Sequence, residues 1–174
     1  MDFDALAKAR AEFVKSGANG LARILSSAGQ LPYPGWLGNL PMPFCRQTDG
    51  KSKLVWETIP VRTDLKPNEM EKFRLPAAMG FLSQPSGNFQ LLINGKPGLE
   101  FNVALGSQTW QSDAGRVRMN YNVMENNDED SCGVVQIEVA GALLEPGRPV
   151  KFEVVGSAVS SQRWFGVYLV PAAE

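Results

Sequence analysis

The residues best suited to chemistry lie close to the C-terminus. In "SSQRWFGVYLV", residues 160–170, Trp164, Gly166 and Tyr168 occupy alternate positions and Arg163 precedes them. Alternate residues of an extended strand share a face. Each ring then stands about 7 Å along the strand from the glycine, and the two flank a stretch of bare backbone. Such rings cover the apolar C–H face of a sugar, while Arg163 supplies donors. The positions suit a second use as well. An outward Trp can be covered by the chain's own N-terminal segment, and Gly166 admits a close backbone as readily as a ligand.

A polar set accompanies the rings. In "RVRMNYNVM" (116–124), Arg118, Asn120 and Asn122 alternate with Val117, Met119, Tyr121 and Val123. Gln136 and Glu138 alternate in the same way with Val135, Ile137 and Val139. Guanidinium and amide groups beside aromatic rings suit hydroxyl-rich ligands, although any sheet solvated on one side is dressed similarly. Trp110 sits in the polar stretch "SQTWQSDAGR" (107–116), read as a hairpin connection. There it either packs over the end of the sheets or meets a ligand. In "MENNDEDSCG" (124–133), Asn126, Asp128 and Asp130 have the alternating spacing of a calcium loop. Ser131 stands where that loop needs glycine, and Ile137 where it needs a bidentate Glu. A solvated acidic turn is the reading, with structural calcium as the alternative, and no cofactor is expected.

Several chemistries are excluded or left without support. The chain has no histidine, which removes the usual base of Ser and Cys hydrolases and any His-ligated metal. Two cysteines, Cys45 and Cys132, are too few for a disulfide framework or a structural zinc. They form either one bridge or two separate thiols. Carboxylate-pair catalysis needs only acids; Glu100 and Glu138 share outward parity and are the candidate pair. No nucleophile elbow, phosphate loop or Cys-x-x-Cys occurs, so the reading leans away from an enzyme. Seventeen basic and eighteen acidic residues leave a net charge of −1. That balance offers no footprint for nucleic acid or an anionic membrane.

The elements that must hold these residues are mostly strands. The 174 residues fit one ordinary domain. Residues 4 to about 28 carry Leu6, Ala9, Phe13, Leu21, Ile24 and Leu25 near helical spacing, weakened around Gly17 and Gly20. "GQLPYPGWLGNLPMPF" (29–44) is too rich in proline and glycine for a helix or a central strand. From Lys53 the period becomes two. Eight short strands are expected at 53–61, 72–82, 89–95, 99–105, 116–124, 133–141, 150–156 and 163–170, separated by turn residues. "LLINGKPGLEF" is a hairpin signal around Asn-Gly, extended by Pro97 and Gly98. The expectation is a mostly β chain: an antiparallel β-sandwich or jelly roll over 51–174, preceded over 1–50 by a helical extension and an aromatic connector.

The runs "FQLLINGKPGLEFNV", "GVVQIEVAGALLEPGRPVKFEVVGSA" and "RWFGVYL" resemble a galactose-binding-like β-sandwich, the kind appended to bacterial polysaccharide-degrading enzymes. The resemblance covers about residues 53 to 170. It implies carbohydrate binding for many members and bracing of neighbouring domains for others. It also implies a secreted or periplasmic setting within a larger bacterial protein, although the N-terminus lacks the pattern of a signal peptide. Three functions follow as expectations. The first is a non-catalytic module holding a polysaccharide or oligosaccharide through Trp164, Tyr168, Arg163, Arg118, Asn120, Asn122 and Trp110. The second is a brace for a catalytic domain of the same parent protein. The third is a small carboxylate-dependent glycan hydrolase or lyase.

Overall fold

The computed structural model describes the backbone of residues 23–26, 29–31, 42–46, 53–80, 86–104, 108–126, 130–156 and 166–169, and the side chains of 53–74, 88–102, 108–123 and 134–156. Twelve strands fall within these residues: β1 Arg23–Ser26, β2 Gly29–Leu31, β3 Met42–Arg46, β4 Lys53–Pro60, β5 Met70–Gly80, β6 Ser86–Ile93, β7 Lys96–Ala104, β8 Gln108–Gln111, β9 Val117–Asn126, β10 Asp130–Ala140, β11 Pro149–Gly156 and β12 Gly166–Leu169. They form two antiparallel sheets, ordered β1-β4-β11-β6-β7 and β2-β3-β12-β5-β10-β9-β8. The eight strands expected from residue 53 onward are all present, and the architecture is a β-sandwich.

The helical reading needs correction. Arg23–Ser26 falls inside the expected helix, yet it is a strand of the first sheet, with Ile24 opposite Trp56. Pairing with β4 overrides the local spacing there. The rest of the expected helix lies outside the described residues. The Pro/Gly-rich connector also yields strand: β3 lies between β2 and β12, although it contains Pro43.

The core fills the space between the sheets. Leu54, Trp56, Phe89, Leu91, Phe101 and Phe152 come from the first sheet, and Phe73, Met119, Tyr121 and Ile137 from the second; all are buried. Phe152 links the layers by meeting Phe73 edge-on at 5.1 Å and stacking on Trp56 at 5.3 Å. Each such side chain contributes about 1.5–3 kcal/mol of transfer free energy. Among the described residues, the Trp56 indole nitrogen is buried without a hydrogen-bond partner.

Turn chemistry sets the register. Asn94 and Gly95 both have positive φ, 50° and 79°, which is the two-residue turn matched to strand twist. The Asn94 side chain also accepts a bond from the Lys151 N–H at 3.0 Å, tying the hairpin to β11. Pro97 and Gly98 lie in β7, outside the turn. Because β7 ends its sheet, the proline there need not remove a ladder bond.

One end of the sandwich is laced together. The Val61 N–H donates to the Arg148 carbonyl and the Gly147 N–H to the Val61 carbonyl, both at 2.9 Å. The Gly141 N–H donates to the Glu69 carbonyl at 2.8 Å, and the Ala142 N–H to the Pro67 carbonyl at 3.0 Å. Arg62 gathers Glu69 and Glu71 at 2.6 and 3.1 Å beside this lacing. The chain leaves β5, β7, β9 and β11 at the opposite end.

Candidate functional site

Even-numbered positions of β5 and β10 lie on the side of the second sheet away from the core, since Phe73, Val135, Ile137 and Val139 are buried at odd positions. Cross-strand pairing turns this parity into rows. One row runs Gln111, Arg118, Glu138, Lys72, and the next runs Thr109, Asn120, Gln136, Arg74. A third contains Asn122, Val134 and Pro76. The three polar residues expected on β9 therefore share one face. Arg118 and Asn122 are exposed, and Asn120 is half-buried.

The first two rows are partly locked. Arg74 Nε donates to Gln136 Oε1 at 3.0 Å, and Gln136 Nε2 donates to Glu138 Oε1 at 2.9 Å. Lys72 Nζ lies 3.5 Å from the same Glu138 oxygen. Arg118 sits opposite Glu138 in the register. Among the described residues its guanidinium makes no ion pair or hydrogen bond, which leaves those donors available.

The register continues toward β12. Tyr168 pairs with Ala78 on β5 and with Phe44 on β3. Ala78 is an even position of β5 and also pairs with Cys132. Beyond it a further row runs Arg46, Gly166, Gly80, Asp130. Tyr168 thus takes a register position on the same face as the β9 residues, three strand spacings or about 14 Å across the sheet, and two, four and six residues along it from the rows of Asn122, Asn120 and Arg118, or about 7 to 20 Å. Between them stand the small positions Pro76, Ala78, Cys132 and Val134. Arg163 and Trp164 lie outside the described residues.

Trp110 is not on this face. It pairs with Met119, a core position, while its neighbours Thr109 and Gln111 face Asn120 and Arg118. It belongs to strand β8 instead of a hairpin connection. Its ring packs on Phe101 at 5.6 Å, and its Nε1 donates to the Asn102 carbonyl at 3.0 Å. In the acidic stretch, Asn126 ends β9 and Asp130 begins β10, while Asp128 lies outside the described residues. Among the described residues no group of three acids or thiols is placed to hold a metal.

Two pairings left open by sequence are settled. Glu100 lies on the outward side of the first sheet beside Gln90, and Glu138 on the outward side of the second. The sheets are stacked about 10 Å apart with these side chains pointing away from each other, beyond the ~5–9.5 Å of a catalytic carboxylate pair. Cys45 pairs with Val167, which pairs with Met79, which pairs with Ser131. Cys45 and Cys132 are therefore three strand spacings apart, about 14 Å, and at positions of opposite parity. A disulfide needs roughly 4.4–6.8 Å between Cα atoms.

Sequence reading missed Arg74, Lys72 and the small positions of β5. The signal was present in "KFRLPAAMG" (72–80), where even positions shrink from Lys72 and Arg74 to Pro76, Ala78 and Gly80. The outward side of the first sheet differs in character. Glu153 is buried there, 4% exposed, with Lys53 Nζ at 3.1 Å and Lys151 Nζ at 3.2 Å. Burial opposes its charge, but the hydrogen bonds and charges of the two lysines together outweigh burial and hold the carboxyl below its ordinary pKa.

No protein family matches the chain, and no curated protein matches it. Solved structures that it resembles include a family 35 carbohydrate-binding module from an environmental isolate, with TM-score 0.46 and 9% identity over 88% of this chain and 93% of that one. A second is Xyl-CBM35 in complex with a glucuronic acid-containing disaccharide, with TM-score 0.41 and 12% identity over 87% and 89%. A third is the CBM35 from Cellvibrio japonicus Abf62, with TM-score 0.37 and 10% identity over 89% and 88%.

Proposed function

We propose that this chain is a non-catalytic carbohydrate-binding domain whose ligand lies on the outward face of the second sheet. The observation that supports it most is the register connecting Tyr168 with Arg118, Asn120 and Asn122 across small residues. Tyr168, with Trp164 and Arg163 just ahead of β12, provides rings and donors on one side. Arg118 and the two asparagines pair with sugar hydroxyls on the other. Small positions between them leave the backbone approachable, and apolar contact plus a few placed polar groups is the usual composition of a ligand site.

The test is an affinity-gel and pull-down screen over plant, algal and microbial polysaccharides, with Tyr168→Ala, Trp164→Ala, Asn120→Ala and Arg118→Ala beside wild type. We expect folded variants to lose at least about tenfold in affinity, or about 1.4 kcal/mol. Full retention of binding in all four folded variants, or no binding by wild type to any glycan, defeats the proposal. A brace for a neighbouring domain is the second reading. Gly80 opposite Gly166 favours it, because paired glycines admit an approaching backbone as well as a sugar.

A further inference from the structure

We infer that β7 is a self-pairing edge and that the Trp110 indole keeps it shut. β7 is the end strand of the first sheet, and no described strand pairs with its other side. The Asn102 carbonyl points away from β6, because it accepts the Trp110 Nε1–H at 3.0 Å. In an antiparallel ladder the N–H and C=O of one residue point the same way, and the direction alternates along the strand. Glu100 and Asn102 therefore both present their backbone groups outward, while Leu99 and Phe101 bond to β6. The side chains agree: Asn102 bonds to Asn88, and Gln90 donates to Glu100, at the pairs where an antiparallel ladder brings side chains closest.

An outward row of this kind is a template for another strand. The sequence guards part of it by placing Pro97 near the start of β7 and an exposed charge at Glu100. Trp110 guards the middle by a different means. Its ring rests on Phe101 and its N–H occupies the Asn102 carbonyl, an acceptor that a further strand would need.

The occupant that the edge fits is a second copy of this chain. Two β7 strands related by a two-fold axis at Phe101 bring Asn102 of each opposite Glu100 of the other. Both residues carry outward backbone groups, so this register makes the paired N–H···O bonds of a ladder. It also sets a neutral amide, in place of a second carboxylate, across from each Glu100. An interface of this symmetry is self-complementary by construction. The inference does not depend on the glycan reading, which uses the other sheet.

The test is light scattering behind size exclusion over a concentration series. Trp110→Phe keeps a ring against Phe101 and loses the N–H. We expect wild type to run as a monomer and Trp110→Phe as a concentration-dependent dimer, with self-association at least tenfold tighter. Adding Glu100→Pro should restore the monomer, since it removes an outward N–H and leaves the bonds to β6 in place. Trp110→Leu gives the same readout if Trp110→Phe fails to fold. Folded variants at position 110 that stay monomeric throughout overturn the inference. So does a wild type that associates equally well, or a dimer that survives Glu100→Pro.

Discussion

Replacing Gly141 with alanine should unlace the tied end of the sandwich. A Cβ built there lies 2.1 Å from the Lys66 carbonyl oxygen, 1.3 Å short of the 3.4 Å at which ordinary contact begins. Neither partner can retreat without loss. The Gly141 and Ala142 N–H groups donate to the Glu69 and Pro67 carbonyls, and the Lys66 carbonyl accepts from the Glu69 N–H. Leu65, 6% exposed, belongs to the core cluster beside them. Losing two hydrogen bonds at about 1 kcal/mol each, and part of the burial of one Leu at about 1.5–3 kcal/mol, gives about 3 kcal/mol. For a chain of this size each kcal/mol moves the melting temperature by about 2–4 °C, so the drop should be about 6–12 °C. Thermal unfolding followed by circular dichroism measures it. A Gly141→Ala protein melting within about 1 °C of wild type would show that the loop around Lys66 has room the geometry denies, and the reasoning would fail.

The Glu153 carboxyl has its folded pKa below the unfolded value. Its contribution is therefore complete above the ordinary carboxylate range and lost as pH falls through the folded value. Urea titrations at stepped pH should show the acid-side loss of stability reduced in Glu153→Gln, and superimposable pH profiles for the two proteins would contradict this. For the cysteines, a denatured, unreduced chain should titrate two thiols with Ellman's reagent, the number it has in total. A value rising only after reductant would mean that the register of β3, β12, β5 and β10 is wrong.

Eight of the nine described strands from Lys53 onward were legible because local rules decide them. Val150, Phe152 and Val154 alternate with Lys151 and Glu153, and Asn94-Gly95 closes a hairpin by its own backbone preferences. β8 was illegible because "QTWQ" has one apolar residue, and that residue finds its place by packing on Phe101. β1 was misread because four residues with Ile24 and Leu25 fit either period, and only pairing with β4 chooses between them. The same division runs through the candidate site. Parity along one strand put Arg118, Asn120 and Asn122 together. The sheet to which Glu100 belongs, and the strands separating Cys45 from Cys132, are long-range facts that no local spacing encodes. They removed the one carboxylate pair and the one disulfide that the sequence had left open.

Trp56 gives the molecule an internal spectroscopic reference. It is 1% exposed, stacked on Phe152, and its indole N–H has no partner among the described residues. An indole in such dry, unpaired surroundings emits toward the blue and is shielded from dissolved quenchers. Trp110, half-buried and bonded to a carbonyl, should emit further to the red. With Trp36 and Trp164 replaced by phenylalanine, changes at the sandwich edge would then alter the red, quenchable part of the spectrum, while separation of the two sheets would move the blue part. One emission scan of that protein can therefore separate an event at the sandwich edge from the loss of the fold.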